Sequence, residues 1–244
     1  MKIRQPQQWL VVVVLAVLAG SPRCSDNPPA ADSAFAEARR RMVTTQLEAR
    51  DITDKRVLEA MRTVQRHRFV GKDLQAYAYI DSPLPIGEEQ TISQPYIVAL
   101  MTQLLEIDEN DRILEVGTGS GYQAAILAEL ADSVFTIEII NKLGHAAKKL
   151  LKELGYSNVA VRIGDGYLGW PEEAPFDAII VTCAPAKIPQ PLIDQLAESA
   201  RMVIPVGTDR QELVLLEKKN GALVEKSIIP VRFVPMTGNA AEQK

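Results

Sequence analysis

Apolar residues recur along this chain with two periods, which predict helices and strands in a regular order. Helical spacing covers residues 36–50, 54–65 and 96–106. Farther along, short apolar runs typical of buried strands occupy residues 112–116, 133–138, 158–166 and 176–184. Segments of helical spacing lie between or after these strands, at residues 122–131, 142–155 and 189–200. Gly155 is expected to end the second of these helices.

Strands that alternate with helices indicate a mostly parallel sheet with both faces covered. Three more strand-like segments follow, at residues 201–207, 212–219 and 225–235. Because no helix separates the last two, we expect antiparallel strands at the C-terminal end. The predicted fold class is therefore α/β and Rossmann-like. We expect a single domain over residues 42–238, with an N-terminal helical cap, and a tail over residues 239–244.

The first 41 residues have a different character. Two basic residues precede an apolar run over residues 10–19, which small residues follow. This run is shorter than the roughly 20 residues that span a bilayer, so residues 1–24 are typical of a secretory signal and not of a membrane span. Residues 25–41 predict a disordered linker, because they are poor in large apolar side chains. The alternative is that translation begins at Met42.

Composition narrows the classes of partner. The chain has 244 residues, a net charge of −4 and a pI of about 5.4, so it lacks the excess of positive charge that is typical of nucleic-acid-binding proteins. Its two cysteines, Cys24 and Cys183, lie far apart and lack metal-ligand spacing, so a disulfide framework is not expected. His67 and His145 suggest no catalytic role.

A glycine-rich turn separates the strand at 112–116 from the next helix. The segment LEVGTGSGY places Gly117, Gly119 and Gly121 at alternate positions, shortly after Glu115. Glycines allow a tight turn and a close approach to a ligand, and the following helix N-terminus favours electron-rich groups. A turn without a ligand is the alternative, which three alternate glycines disfavour. The spacing also departs from the G-x-G-x-x-G of dinucleotide-binding proteins.

Acidic residues stand at the ends of the next two strands. Glu138 ends one of them, where a carboxylate can accept hydrogen bonds from both hydroxyls of a ribose. Asp165 and Gly166 follow the other, and Asp165 can meet the edge of an adenine or simply close a turn. Because these loops follow consecutive strands at their carboxyl ends, they predict a nucleoside site at that edge of the sheet.

The segment PLPIGEEQTISQPY, residues 83–96, has the pattern of neither a helix nor a strand. Its three prolines fix φ and remove backbone donors, which predicts a loop of restricted shape. Two hydroxyls, those of Thr91 and Ser93, lie close together in it. By itself, Ser93 is interpreted as a turn-forming serine.

These features together resemble the class I methyltransferases that use S-adenosylmethionine. The segments PIGEEQTISQPY, LEVGTGSGYQ, GDG, PFDAIIVT, IPVG and VRFVP are similar, in order and spacing, to those of the protein-L-isoaspartate O-methyltransferases. The resemblance covers about residues 42–236. The chain departs from it at Ser199 and Ala200, where the family often has two glycines, and at Gln65, where it often has a proline.

The resemblance implies a Rossmann-like methyltransferase fold, S-adenosylmethionine as co-substrate and no metal. It implies methyl esterification of the free carboxylate of isoaspartyl residues in damaged proteins, which leads to a succinimide and to repair. The alternative is methylation of another carboxylate or of a small molecule. We expect damaged proteins as partners, no nucleic acid and a monomer. A cytoplasmic location is expected, with export through residues 1–24 as the alternative.

The resemblance also gives roles to individual residues. Ser93 corresponds to the catalytic serine of the family motif T-I-S. The residues expected to bind the cofactor are Glu115, Gly117, Gly119, Gly121, Glu138, Asp165 and Gly166. Substrate contacts are expected from Ile86, Gly87, Thr91 and Ile92. The last strand, IIPVRFVP, resembles the family segment that lies along the peptide, and it can also be an ordinary core strand. The proline-containing loop at residues 83–96 can bind a carboxylate through hydroxyls and backbone donors, while Ile86 and Ile92 exclude water.

Overall fold

The computed structural model describes the backbone of residues 29–243 and the side chains of residues 33–240. The predicted signal segment, 1–24, and the start of the predicted linker lie outside this part of the chain. The prediction of a disordered linker is wrong for residues 29–41, which are helical.

Helix α1, Pro29–Met42, is held to the domain by a few long side chains. Phe35 stacks on the ring of His67, with centroids 4.1 Å apart, and Arg39 donates a hydrogen bond to the carbonyl of Arg62. An aromatic pair of this kind contributes about 0.5–1.5 kcal/mol beyond its buried area. Composition alone suggested disorder, because one aromatic residue changes the average hydropathy of the segment very little.

The other helices begin within one residue of the predicted helical segments. Their bounds are α2 Lys55–Thr63, α3 Pro95–Leu104, α4 Tyr122–Ala128, α5 Asn141–Glu153 and α6 Gln190–Asp194. They end earlier than predicted, α4 and α6 by the most. A π-helical turn covers Val43–Glu48, and 3-10 turns cover Arg66–Phe69, Lys72–Tyr77, Gly166–Leu168, Pro171–Glu173 and Gly238–Gln243. Gly155 stands just beyond α5 with φ +87°, as its predicted role at the helix end requires.

The strands form a two-stranded and a seven-stranded sheet in the described part of the chain. Their bounds are β1 Leu84–Gly87, β2 Gln90–Ile92, β3 Arg112–Val116, β4 Ser133–Glu138, β5 Val159–Ile163, β6 Phe176–Val181, β7 Leu196–Gly207, β8 Gln211–Lys219 and β9 Ala222–Val231. The large sheet has the order β5-β4-β3-β6-β7-β8-β9. Neighbours from β5 to β7 are parallel, whereas β8 and β9 are antiparallel. The predicted fold class is confirmed.

The proline-rich segment is not a plain loop, because β1 and β2 pair within it as an antiparallel hairpin. Leu84 lies opposite Ile92, and both side chains are buried. Pro85 lies opposite Thr91 in this small sheet. A proline is tolerated there because a two-stranded sheet consists only of edge strands.

The helix predicted over residues 189–200 is shorter than its apolar spacing suggests. Helix α6 ends at Asp194, and β7 begins two residues later at Leu196. Leu196 pairs with Phe176 of β6, so sheet pairing overrides the helical spacing of the last residues. The prediction is wrong for residues 196–200.

Ser199 lies in the left-handed region, with φ +65°, at one of the positions where the chain departs from two glycines. The left-handed conformation costs a non-glycine residue roughly 1–2 kcal/mol, which glycine would not lose. Part of this gain in stability is offset, because glycine loses more conformational entropy than serine when the chain folds. We therefore expect Ser199→Gly to raise the melting temperature by about 1–3 °C. Calorimetry checks this, with Ser199→Ala as the control that keeps the strain; an equal rise in both variants would contradict it.

The two faces of the large sheet bury separate apolar clusters. Ile113 and Ile180 pack with helices α2, α3 and α4 on one face. Leu114 and Ile179, one residue away in the same strands, pack on the other face with Met236, which lies near the end of the chain. This alternation follows from the two-residue period of a strand. None of the helices within residues 29–243 is both long and apolar enough to cross a membrane.

Candidate active site

The glycine turn after β3 holds a conformation that needs glycine at its first position. Gly117 has φ +99°, and a Cβ there would collide with Oγ1 of Thr182. That hydroxyl donates to the Gly117 carbonyl at 2.7 Å. Gly117 and Gly119 line a cleft at the carboxyl edge of the sheet. Gly121 does not line it and instead packs, at the start of α4, against Leu151.

The carboxylate of Glu138 is fixed by two backbone amides at the wall of this cleft. Oε2 accepts a hydrogen bond from Gly119 N–H at 2.7 Å, and Oε1 accepts one from Ile140 N–H at 2.9 Å. A carboxylate has about four acceptor positions, so each oxygen keeps one for a ligand. The side chain is nearly buried, which makes those positions directional. Glu138 is thus able to accept two hydroxyl donors from a ligand in the cleft.

Glu115 lies beneath the glycine turn and does not line the cleft. Its Oε2 accepts a hydrogen bond from Thr136 Oγ1, which lies 2.6 Å from Thr118 Oγ1 in the turn. Burial, and to a lesser extent the charge of Glu138, raises the pKa of Glu115 to about 8. The side chain is therefore protonated at pH 7. These contacts indicate that Glu115 supports the glycine turn. Glu115 was predicted to bind the cofactor, but its side chain does not reach the cleft.

The raised pKa of Glu115 predicts how stability depends on pH. The folded chain retains the proton to about pH 8, whereas the unfolded chain loses it near the ordinary value of 4.5. This contribution to stability is complete below pH 4.5 and is lost as the pH rises through about 8. We expect Glu115→Gln, which resembles the protonated acid, to flatten the fall in unfolding free energy across this window. Urea melts from pH 5 to 8 measure this, and parallel curves for the two proteins would contradict it.

Asp165 is turned toward the end of the chain. Its carboxylate accepts hydrogen bonds from Tyr167 N–H at 2.9 Å and from Asn239 N–H at 2.8 Å. Gly166 lines the cleft, and a Cβ there would collide with Val116. Of the two predicted residues in this turn, the structure therefore places Gly166 at the cleft and Asp165 behind it, bound to the C-terminal segment.

Residues 234–237 form a wall of the cleft that the sequence did not reveal. Ala184 N–H donates to the Val234 carbonyl, and Met236 N–H donates to the Ala184 carbonyl, both at 2.8 Å. This pairing brings the chain back across the carboxyl edge of β6. The apolar side chains of Ile137, Ile139 and Met236 also face the cleft. The one signal in the sequence was the segment IIPVRFVP, which was interpreted as a peptide-binding strand or an ordinary core strand and not as a wall of the cofactor cleft.

The remaining predicted site residues lie on or next to the β1–β2 hairpin, and they line different pockets. Thr91 lines the cleft, and Thr91 and Ser93 both line an adjoining groove together with residues 230–234. Ile92 and Ser93 line a small cavity between the hairpin and the glycine turn. The other two predicted substrate residues, Ile86 and Gly87, face a separate groove beside α5. Ile86 also contacts Gly119 from outside the cleft.

Cys183 and the histidines fit no nucleophilic role. The half-buried Cys183 side chain lines the cleft, and burial raises the pKa of its thiol to about 12, so it is protonated at pH 7. Nδ1 of His67 lies 2.7 Å from the Tyr79 hydroxyl in the buried contact with α1. Among the described residues, no group of three His, Cys, Asp or Glu side chains could hold a metal ion.

A parallel sheet with antiparallel C-terminal strands, a glycine turn after β3 and an acid at the end of β4 together define a class I S-adenosylmethionine-dependent methyltransferase. The family model described as "Protein-L-isoaspartate(D-aspartate) O-methyltransferase (PCMT)" matches residues 37–241. The chain therefore belongs to the protein-L-isoaspartate O-methyltransferase family.

Individual relatives agree with this membership. A curated protein-L-isoaspartate O-methyltransferase 1 of Syntrophobacter fumaroxidans is 59% identical over 206 residues, covering 84% of this chain and 96% of that protein. One from Opitutus terrae is 57% identical over 201 residues, covering 82% and 86%. A solved Plasmodium falciparum structure, a putative protein-L-isoaspartate O-methyltransferase in complex with S-adenosyl-L-homocysteine, has a TM-score of 0.73 at 27% identity, covering 82% and 99%.

Proposed function

We propose that the chain methylates the free carboxylate of isoaspartyl residues in damaged proteins with S-adenosylmethionine, and that the ester then closes to a succinimide, which starts repair. The observation that carries this proposal is that the cleft at the carboxyl edge of the sheet adjoins the groove that holds Ser93. Thr91 and Thr182 line both the nucleoside-type cleft and the groove that holds Ser93. A methyl donor in the cleft and an extended acceptor in the groove would meet there.

The residues of the cleft fit S-adenosylmethionine. Glu138 has two acceptor positions free for ribose hydroxyls, because its backbone partners occupy the other two. Gly117 and Gly119 allow close approach of the backbone, while Ile139 and Met236 offer apolar surface to a purine. When bound, the cofactor would supply a methyl group on a sulfonium. The carboxylate oxygen would bond to the methyl carbon as the carbon–sulfur bond breaks, which gives a methyl ester and a neutral thioether as the leaving group.

The acceptor needs alignment more than activation. The free carboxyl of an isoaspartyl residue resembles a terminal α-carboxyl, with a pKa of about 3.5, so it is already an anion at pH 7. No general base and no metal are therefore required. Orientation of two reactants in one site can contribute roughly 7–11 kcal/mol to lowering a barrier. We assign Ser93 to orient the carboxylate through its hydroxyl and Thr91 to the wall beside it.

The groove suits an extended peptide. Residues 230–234 form one side of it and continue from β9, while the Ser93 hairpin forms the other. Phe233 is held by Gln211, whose side chain accepts from its N–H at 2.6 Å and donates to its carbonyl at 3.2 Å. A main-chain track of this kind would bind damaged sites in many sequence contexts.

The same proposal extends to the setting of the reaction. The proposed reaction makes isoaspartyl proteins and peptides the partners, and we propose that a monomer binds them. A net charge of −4 does not favour binding to nucleic acid. We place the active enzyme in the cytoplasm, where S-adenosylmethionine is made. Export directed by residues 1–24 is the competing location, and fractionation of cells that express the full chain distinguishes the two.

A methyl-transfer assay tests the function directly. Purified protein, radiolabelled S-adenosylmethionine and an isoaspartyl peptide should give a base-labile methyl ester, whereas the matched aspartyl peptide should give none. A panel of free small carboxylic acids forms the third arm. Transfer to the small acids without transfer to the isoaspartyl peptide would overturn the proposed substrate, and no transfer in any arm would overturn the activity.

A further inference from the structure

The hairpin that carries Ser93 is fastened at its base by Asp81. The carboxylate of Asp81 accepts hydrogen bonds from Gln94 Nε2 at 2.8 Å and from Tyr96 N–H at 3.2 Å. These partners lie 13 and 15 residues farther along the chain. Asp81 precedes the hairpin, and its partners follow Ser93. One side chain therefore joins the two ends of the segment that contains Thr91 and Ser93.

Asp81 also completes the start of helix α3. The first amides of a helix lack partners within it, and Pro95 at the first position has no N–H to satisfy. Gln94, at the N-cap position, makes no side-chain hydrogen bond to its own helix. Asp81 supplies the missing acceptor to Tyr96 from outside the helix, and its negative charge suits the helix N-terminus.

The N-terminal layer holds the same point from the other side. Arg50 Nη1 lies 3.2 Å from Asp81 Oδ2, and Arg50 Cζ lies 3.2 Å from the centroid of the Tyr96 ring. The Tyr96 hydroxyl donates to Asp51 Oδ1 at 2.7 Å. The Tyr96 side chain is buried. The base of the hairpin is thus bound to the residues that follow the π-helical turn Val43–Glu48.

The position of Ser93 depends on this fastening. Within residues 33–240, no hydrogen bond joins the Ser93 hydroxyl to another protein group, so its own side chain does not fix it. On one side it is held by the pairing of Ile92 with Leu84, and on the other by the contacts of Gln94 and Tyr96 with Asp81. A misplacement of about 1 Å in an aligned displacement can lower the rate about 100-fold.

We propose that Asp81 is a positioning residue for methyl transfer, which sets the place of Ser93 by closing the base of the hairpin. This inference rests on the proposed function. Asp81 does not line the cleft or the groove, so it acts through Gln94 and Tyr96 and does not touch the reacting atoms.

A reciprocal exchange tests the contact itself. Asp81→Asn places an amide opposite the Gln94 amide and removes the charge beside Arg50. Gln94→Glu alone sets two carboxylates against each other. The double variant Asp81→Asn/Gln94→Glu restores one donor and one acceptor and keeps the total charge of the cluster. Glu89→Gln, at the exposed tip of the same hairpin, is the matched control for loss of one negative charge.

We expect each single variant to lower kcat for an isoaspartyl peptide by about 10–100-fold, with cofactor Kd within about twofold of the parent protein. The double variant should recover part of the lost kcat and be faster than Gln94→Glu alone, because Gln94 also lines the acceptor groove and a carboxylate there can repel the acceptor. Glu89→Gln should match the parent. A general loss of folding would lower cofactor affinity as well, so this split separates positioning from stability. Parent-like kcat in Asp81→Asn, or a double variant no faster than Gln94→Glu alone, would overturn the proposal.

Amide hydrogen exchange provides a readout that does not depend on activity. We expect Asp81→Asn to speed exchange over residues 91–98 and the double variant to reverse this change. An inactive parent protein would refute the proposed function and leave this measurement to decide the role of Asp81. Unchanged exchange in Asp81→Asn would show that the carboxylate does not hold the hairpin.

Discussion

Ser93→Ala is expected to lower kcat and kcat/KM for an isoaspartyl peptide together, by roughly 10–1000-fold, by comparison with the loss of single oxyanion-hole donors. The Ser93 side chain is half-buried, faces the acceptor groove and makes no hydrogen bond to another protein group in residues 33–240. A donor that acts on the acceptor carboxylate mainly in the transition state lowers both constants when it is removed. Cofactor affinity should stay nearly unchanged.

The measurement is steady-state kinetics beside a calorimetric titration of the cofactor. Ser82→Ala is the matched control, because within residues 33–240 the Ser82 hydroxyl makes one hydrogen bond, to the adjacent Pro83 carbonyl at 3.3 Å, near the other end of the hairpin. Parent-like kcat in Ser93→Ala would reduce Ser93 to a turn residue and leave carboxylate binding to the backbone of the hairpin.

Glu138→Ala should weaken binding of the cofactor by roughly 10–100-fold, which corresponds to the 1.5–3 kcal/mol typical of hydrogen bonds to charged groups. Two losses combine in this variant. The ribose hydroxyls lose their acceptors, and the amides of Gly119 and Ile140 lose the carboxylate that orders the turn. We expect most of the effect in Kd, because Glu138 is proposed to bind the ribose hydroxyls and not the methyl group that is transferred.

Calorimetry with S-adenosylhomocysteine measures this effect without turnover. Glu153→Ala is the control, since Glu153 is exposed on α5 and its one ion pair among the described side chains is with Lys149, at 3.8 Å. Equal affinity in Glu138→Ala and the parent would remove Glu138 from the site. A normal Kd accompanied by a lost methyl-transfer rate would move its role from binding to alignment.

Local patterns were sufficient where an element is decided by its own residues. Strand β3 is apolar and central, with β4 on one side and β6 on the other, so its period and length agree with its place in the sheet. Secondary structure was predicted less well where it depends on pairing between strands that are distant in the sequence or interrupted by prolines. The hairpin depends on the match of Leu84 with Ile92, and the end of the helix before β7 depends on the match of Leu196 with Phe176.

The candidate site shows the same division. The glycine turn, Glu138 and Gly166 were found because each follows a recognisable strand. The wall at residues 234–237 depends on contacts with Ala184, about 50 residues earlier, which no local period reports. The carboxylate of Asp165 was expected either at an adenine edge or closing a turn. It does accept a hydrogen bond from Tyr167 in its own turn, while its other partner, Asn239, comes from the end of the chain. Whether Asp165 also contacts the cofactor stays a prediction.

The return of the chain across β6 has a genetic consequence. The large sheet is complete at Val231, so a premature stop codon just after that position would spare every strand. The product would still lack the cleft wall at residues 234–237, the Asn239 partner of Asp165 and the buried side chain of Met236. We expect such an allele to encode a protein that keeps every strand but cannot form the complete cleft, so the presence of the sheet would not by itself indicate methylation activity.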